Sequence, residues 1–171
     1  MTHATDRIEK QTLLHAPRER VWQAIRQPEQ FGHWFGAEFD GDFAPGRHLS
    51  GRIVPTQVDP EVAKMQEPYR GAALELDVHR IEPERLLAFR WHPGVPDPAV
   101  DPAQQPTTLV EFALDDAPGG TLLTITESGF DRLPSDRRQE AYASNEGGWE
   151  KQLELIDKYL AQNASGHVPE S

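Results

Sequence analysis

The chain contains no cysteine in its 171 residues. That excludes a disulfide framework, a thiol nucleophile and thiolate metal ligation. Long apolar runs are missing as well: nothing approaches the ~20 consecutive apolar residues that a membrane-spanning helix needs. The N-terminal MTHATDRIEK has no apolar stretch of the kind that marks a secretory signal. These two absences predict a cytoplasmic protein with no membrane partner. Positive charge is scarce, with 17 Lys and Arg against 28 Asp and Glu and a formal net charge of −11. A surface that tracks phosphates needs clustered Lys and Arg, so nucleic acid and anionic lipid are disfavoured as partners, while a basic protein partner is compatible.

Catalytic signatures are missing too. There is no HExxH, no G-x-S-x-G elbow, no Gly-rich phosphate loop and no dinucleotide fingerprint. His3, His15, His33, His48, His79, His92 and His167 never fall at the i, i+4 spacing of a helical metal site. We therefore expect no metal and no other cofactor, and these motifs lend catalysis no support.

What is present suits one domain, residues 1–162, with a flexible polar tail over 163–171. The 37% hydrophobic and 26% charged composition is that of an ordinary globular chain. Ile8 to His15 reads as a strand. Pro17 then opens a short helix with Val21, Trp22 and Ile25 on one side, and Pro28 interrupts it. A second short helix over Pro28 to Trp34 clusters Phe31, Trp34 and Phe35. Pro45-Gly46 marks a turn between strands near 37–43 and 47–54. Clean alternation follows over Leu74, Leu76 and Val78, over Leu87, Phe89 and Trp91, and over Val110, Phe112 and Leu114. After the turn DDAPGG, Leu123 and Ile125 share a strand side with Glu127. Two stretches break the pattern: Pro55 to Arg70, and His92 to Pro106. The second holds prolines at 93, 96, 98, 102 and 106, so it is expected to be a stiff surface loop.

The chain ends in an amphipathic helix. Trp149, Leu153, Ile156 and Leu160 recur at steps of four, three and four, with Leu155 and Tyr159 widening the face. Glu150, Lys151, Glu154, Asp157 and Lys158 occupy the other side, where Glu154 and Lys158 are spaced for an i, i+4 pair. Gly147 and Gly148 would cost about 1 kcal/mol each in a helix interior, which places them at the first turn or where the backbone approaches the sheet. The elements together predict an α+β protein: a strand, two short helices, about six further strands in an antiparallel sheet, and a long C-terminal helix laid across one face.

The segments HAPRERVW (15–22), FGHWF (31–35), ESGF (127–130) and GWEKQL (148–153) jointly resemble bacterial homologues of the heat-shock-protein-90 ATPase activator, within the START-like superfamily of polyketide cyclases and birch-pollen-allergen-like proteins. The likeness runs from about Ile8 to Leu160 and is to the activator's C-terminal START-like domain. It implies a helix-grip fold, in which a curved sheet of six or seven strands wraps the C-terminal helix around an apolar cavity. It also implies the activities found across the superfamily: carrying lipids, binding hormones or secondary metabolites, cyclising polyketides, and acting on chaperones.

Under that reading a pocket between sheet and helix is lined by Trp34, Phe35, Leu76, Phe89, Trp91, Phe112, Ile125, Trp149, Leu153 and Ile156, with Glu127 as its polar contact. The expected partner is a small hydrophobic or aromatic ligand; the alternatives are a chaperone-associated interaction module of the stress response, with a chaperone or other protein as partner, and in third place a polyketide-cyclase-like enzyme. The chain is expected to be a monomer or homodimer. The same side chains are also suited simply to fill the interior. Glu127 is the best acid/base candidate, since a carboxylate on an apolar strand face is desolvated. An arginine partner, or exposure at the strand end, is nevertheless the preferred expectation for it. His92 is a weaker candidate.

Overall fold

The computed structural model describes residues 7–92 and 106–164, so most of the proline-rich loop and the end of the tail lie outside the described residues. Strand β1 (Arg7–Leu14) buries Ile8 and Leu14 and exposes alternate residues. Two helices follow, α1 (Arg18–Arg26) and α2 (Pro28–Phe35), separated where Pro28 takes the N-terminal position its missing N–H suits. Gly36 ends α2 in the left-handed conformation at φ 101°. A Cβ on Gly32 would lie 2.0 Å from the Ala37 carbonyl oxygen, so the return of the chain against α2 requires glycine there. The Trp34 indole donates to the Ala24 carbonyl at 2.9 Å and locks the two helices together.

The remaining strands are β2 (Ala37–Phe39), β3 (His48–Ile53), β4 (Ala73–Glu82), β5 (Leu86–Trp91), β6 (Thr108–Ala117) and β7 (Gly120–Ser128). They form one antiparallel sheet in the order β1-β7-β6-β5-β4-β3-β2, with the first strand brought beside the last. The predicted alternation is realised: Leu76 and Val78, Leu87 and Phe89, Val110, Phe112 and Leu114, and Leu123 and Ile125 are all buried on one face. Helix α4 (Ser135–Ala164) lies over that face, so the fold is the expected α+β helix grip.

Four expectations need correction. The strands around Pro45-Gly46 are shorter than the sequence suggested, ending at Phe39 and beginning at His48. The stretch from Pro55 to Arg70, read as irregular, contains α3 (Pro60–Gln66) and a 3-10 turn over Glu67–Tyr69. Helix α3 buries only Val62, so it has no apolar period to read. Its start is set by Asp59, whose carboxylate accepts from the Glu61 and Val62 N–H groups at 2.9 and 3.2 Å.

Helix α4 begins at Ser135, so Gly147 and Gly148 sit in its interior, and no backbone approach explains them: a Cβ on either meets nothing within 4 Å. Lastly, Glu154 does not pair with Lys158. Lys158 reaches Asp59 at 2.6 Å and ties α4 to α3, while Glu154 lies 3.6 Å from Lys151.

Candidate functional site

One cross-strand row of the sheet runs Ile8, Glu127, Val110, Phe89 and Val78, from β1 to β4. Every neighbour of Glu127 in that row is buried and apolar, and Glu127 itself has 0% exposure. Transfer of an unsatisfied carboxylate to such a place costs several kcal/mol. The structure satisfies it instead with neutral donors. Trp149 Nε1 donates to Oε1 at 2.8 Å and Trp91 Nε1 to Oε2 at 2.9 Å. Thr108 Oγ1 donates to Oε2 at 2.5 Å, and Asn145 Nδ2 reaches both oxygens at 3.0 and 3.1 Å. Both indole nitrogens are donor-only groups, so each carboxylate oxygen serves as an acceptor.

This overturns the preferred expectation for Glu127: no arginine pairs with it among the described residues, and it is not exposed at the strand end. The inward alternation of β7 places it, and α4 brings the donors. Asn145 and Trp149 stand four residues apart and therefore on one face of that helix, with Gln152 a further turn along. Thr108 and Trp91 are cross-strand partners at the end of β6 and β5.

The two indoles that hold Glu127 also stack on each other, with ring centroids 5.5 Å apart and planes at 28°. Phe35 stands 6.3 Å from each. Phe112 meets Trp149 edge-on at 5.7 Å and Phe89 meets Trp91 edge-on at 5.5 Å, so the pair is held from behind. Phe35, Trp91, Asn145, Gly148, Trp149 and Gln152 line a cleft of about 80 Å³ at this point. The Gln152 amide donates to the Phe35 carbonyl at 3.2 Å, which fixes its orientation; its Oε1 is buried and has no partner among the described residues.

The structure thus divides the residues that the sequence singled out. Phe35, Trp91 and Trp149 line the cleft, and Glu127 lies beneath it. Trp34, Leu76, Phe89, Phe112, Ile125, Leu153 and Ile156 are packed into the core. His92 lies just past the end of β5. Sequence reasoning missed Thr108, Asn145, Gly148 and Gln152, because each is a common polar or small residue. Only the pairing of strands and the seating of α4 bring them to Glu127. The glycine pair in a strong helix period was the one signal available.

Among the described residues, no group of three or more His, Asp or Glu stands where it could hold a metal ion. No described helix is long and apolar enough to cross a membrane.

Comparison with known proteins agrees with this architecture. Protein MLL2253 from Mesorhizobium loti is 25% identical, with 91% of this chain and 97% of that chain covered and a TM-score of 0.67. DynU16, a protein of the dynemicin biosynthetic locus, is 22% identical with a TM-score of 0.66; the match takes in 92% of this chain but only 48% of DynU16. Protein Ms6760 from Mycobacterium smegmatis is 18% identical, with 96% and 94% covered and a TM-score of 0.66. No curated protein matches by sequence. The family described as activator of Hsp90 ATPase homolog 1-like protein matches residues 15–161, nearly the whole described fold, and the chain belongs to that family.

Proposed function

We propose that this protein binds a small hydrophobic or aromatic molecule between the sheet and α4, at the cleft formed by Phe35, Trp91, Gly148, Trp149 and Gln152. The observation that carries this reading is the stacked indole pair, whose rings line an opening while their N–H groups are spent on a buried carboxylate. Rings held in this way are pre-organised, so little freedom is lost when a flat ligand stacks on them. Each Å² of apolar surface removed from water contributes ~25 cal/mol before association costs, and aromatic pairing adds about 0.5–1.5 kcal/mol.

The cleft of about 80 Å³ is smaller than the ~300–1,000 Å³ of a usual ligand pocket. A ligand therefore inserts one end there. Trp91 forms the outer wall it meets first, since Trp91 is partly exposed while Trp149 is 3% exposed.

The test is a thermal-shift and tryptophan-fluorescence screen against flat aromatics, polyketides and fatty acids, repeated with Trp91→Ala. A saturable shift that the variant loses supports the reading. No shift from any compound, with the protein folded, would sink it. The second reading, a module that acts on a chaperone, rests on the family's description and on the net charge of −11. It predicts salt-sensitive association with a basic protein surface and indifference to Trp91→Ala.

A further inference from the structure

The cleft has π faces but few free donors. The N–H groups of Trp91 and Trp149 and the amide of Asn145 all point away from it, onto Glu127, and the amide of Gln152 is held by the Phe35 carbonyl. What remains toward the opening is the faces of the indoles, with the carboxylate behind them. An indole N–H donated to a carboxylate is polarised, and the electron density moves toward the ring. Both rings over the cleft carry that bond, so both present a more negative face than a free indole would, and a negative face attracts cations. No Lys or Arg is bonded to Glu127 among the described residues. Lys10, the charged residue of β1 that faces α4, is held by Glu150 at 2.7 Å and Glu146 at 3.3 Å. The volume also selects a size: at ~30 Å³ per water-sized group, about 80 Å³ admits a head of roughly three such groups.

Building on the ligand-binding reading above, we propose that the head group this cleft takes is a protonated amine on an aromatic or short apolar body. The ammonium sits against the Trp91 and Trp149 rings. Glu127 is saturated by its own donors and does not touch the ligand; it acts through its charge and through the rings it polarises. The same arrangement turns away carboxylates, so fatty acids and aromatic acids are poor ligands despite their apolar bodies.

Four probes of one shape test this at pH 7 by calorimetry: phenethylammonium, its N-trimethylated form, phenethyl alcohol and 3-phenylpropanoate. The primary ammonium is expected to bind about tenfold more tightly than the alcohol, the factor that ~1.4 kcal/mol of cation–π attraction gives. The trimethylated form should fall between them, and the carboxylate should show no saturable binding. In Trp91→Leu the primary ammonium should lose its advantage over the alcohol.

Equal affinity for the ammonium and the alcohol would overturn the proposal while leaving the cleft a ligand site. So would saturable binding of a neutral aromatic from the broader screen with none of the ammonium probe. An ammonium advantage that survives unchanged in Trp91→Leu would overturn the role of the polarised ring. Binding of neither these probes nor any screened compound, by a folded protein, would remove the ligand-binding reading itself.

Discussion

Glu127 concentrates the conflict in this protein between burial and charge. Its two oxygens accept from Trp91, Trp149, Thr108 and Asn145, which is about as many bonds as a carboxylate can accept. The amide of Glu127→Gln has nearly the same shape but turns an NH₂ group toward donors. Trp N–H cannot accept, so at least one buried donor is left facing another. We expect a loss of about 1–3 kcal/mol, the usual consequence of an unsatisfied buried polar group, read as a lower urea midpoint with an unchanged m-value. A midpoint equal to that of the wild type would show that the donors do not depend on the carboxylate.

The inward position of Glu127 was legible in the sequence, because it continues the alternation of Leu123 and Ile125. Its partners were not, since Asn145 and Thr108 are distant along the chain and meet Glu127 only once the sheet and α4 are assembled.

At the scale of the element, α4 carries the chief anomaly. Gly147 and Gly148 sit inside a 30-residue helix where nothing crowds a Cβ. Each glycine costs about 1 kcal/mol relative to alanine in such a place. Gly147→Ala and Gly148→Ala should therefore each raise stability by about that amount. They should differ in binding. Gly148 lines the cleft, so its methyl group narrows the opening, whereas Gly147 does not line it. Weaker ligand affinity in Gly148→Ala alone, with both variants more stable, is the expected pair of results. Equal affinity in the two would mean that the space beside Gly148 is not used.

The second half of α4 could be read from the sequence because Trp149, Leu153, Ile156 and Leu160 repeat with the helix. The first half could not, because its residues are mostly polar and exposed, and because two glycines suggest a boundary. The same cause hid α3, which buries only Val62. The strands and the covering helix were legible because they bury a whole face.

For the whole molecule, two histidines outside the cleft lining set opposite slopes of stability with pH. His48, on the exposed side of β3, lies 2.7 Å from Asp77 and 2.7 Å from Glu75. Hydrogen bonds to Asp77 and then Glu75 raise its pKa above the ordinary 6.5. The stability it adds is complete below pH 6.5 and is lost as pH rises through the higher folded value. His33 is half-buried in α2, with its ring 5.4 Å from that of Tyr159, and desolvation lowers its pKa below 6.5. Between that lowered value and 6.5 only the unfolded chain holds the extra proton, so stability climbs with pH there.

The carboxylates that are held low, Asp59 by Lys158, Glu67 by Arg70 and Glu150 by Lys10, lose their contributions only as pH falls below their ordinary 3.8 to 4.5. They leave the histidine window clear. Stability should therefore peak near pH 6.5, as measured by urea midpoints across pH 5 to 8. His33→Gln should flatten the acid side of that peak and His48→Gln the alkaline side. A profile that neither substitution changes would mean that these contacts do not persist in solution. Flattening of one limb alone would identify which of the two surroundings, the carboxylates around His48 or the packing around His33, holds its histidine away from the ordinary value.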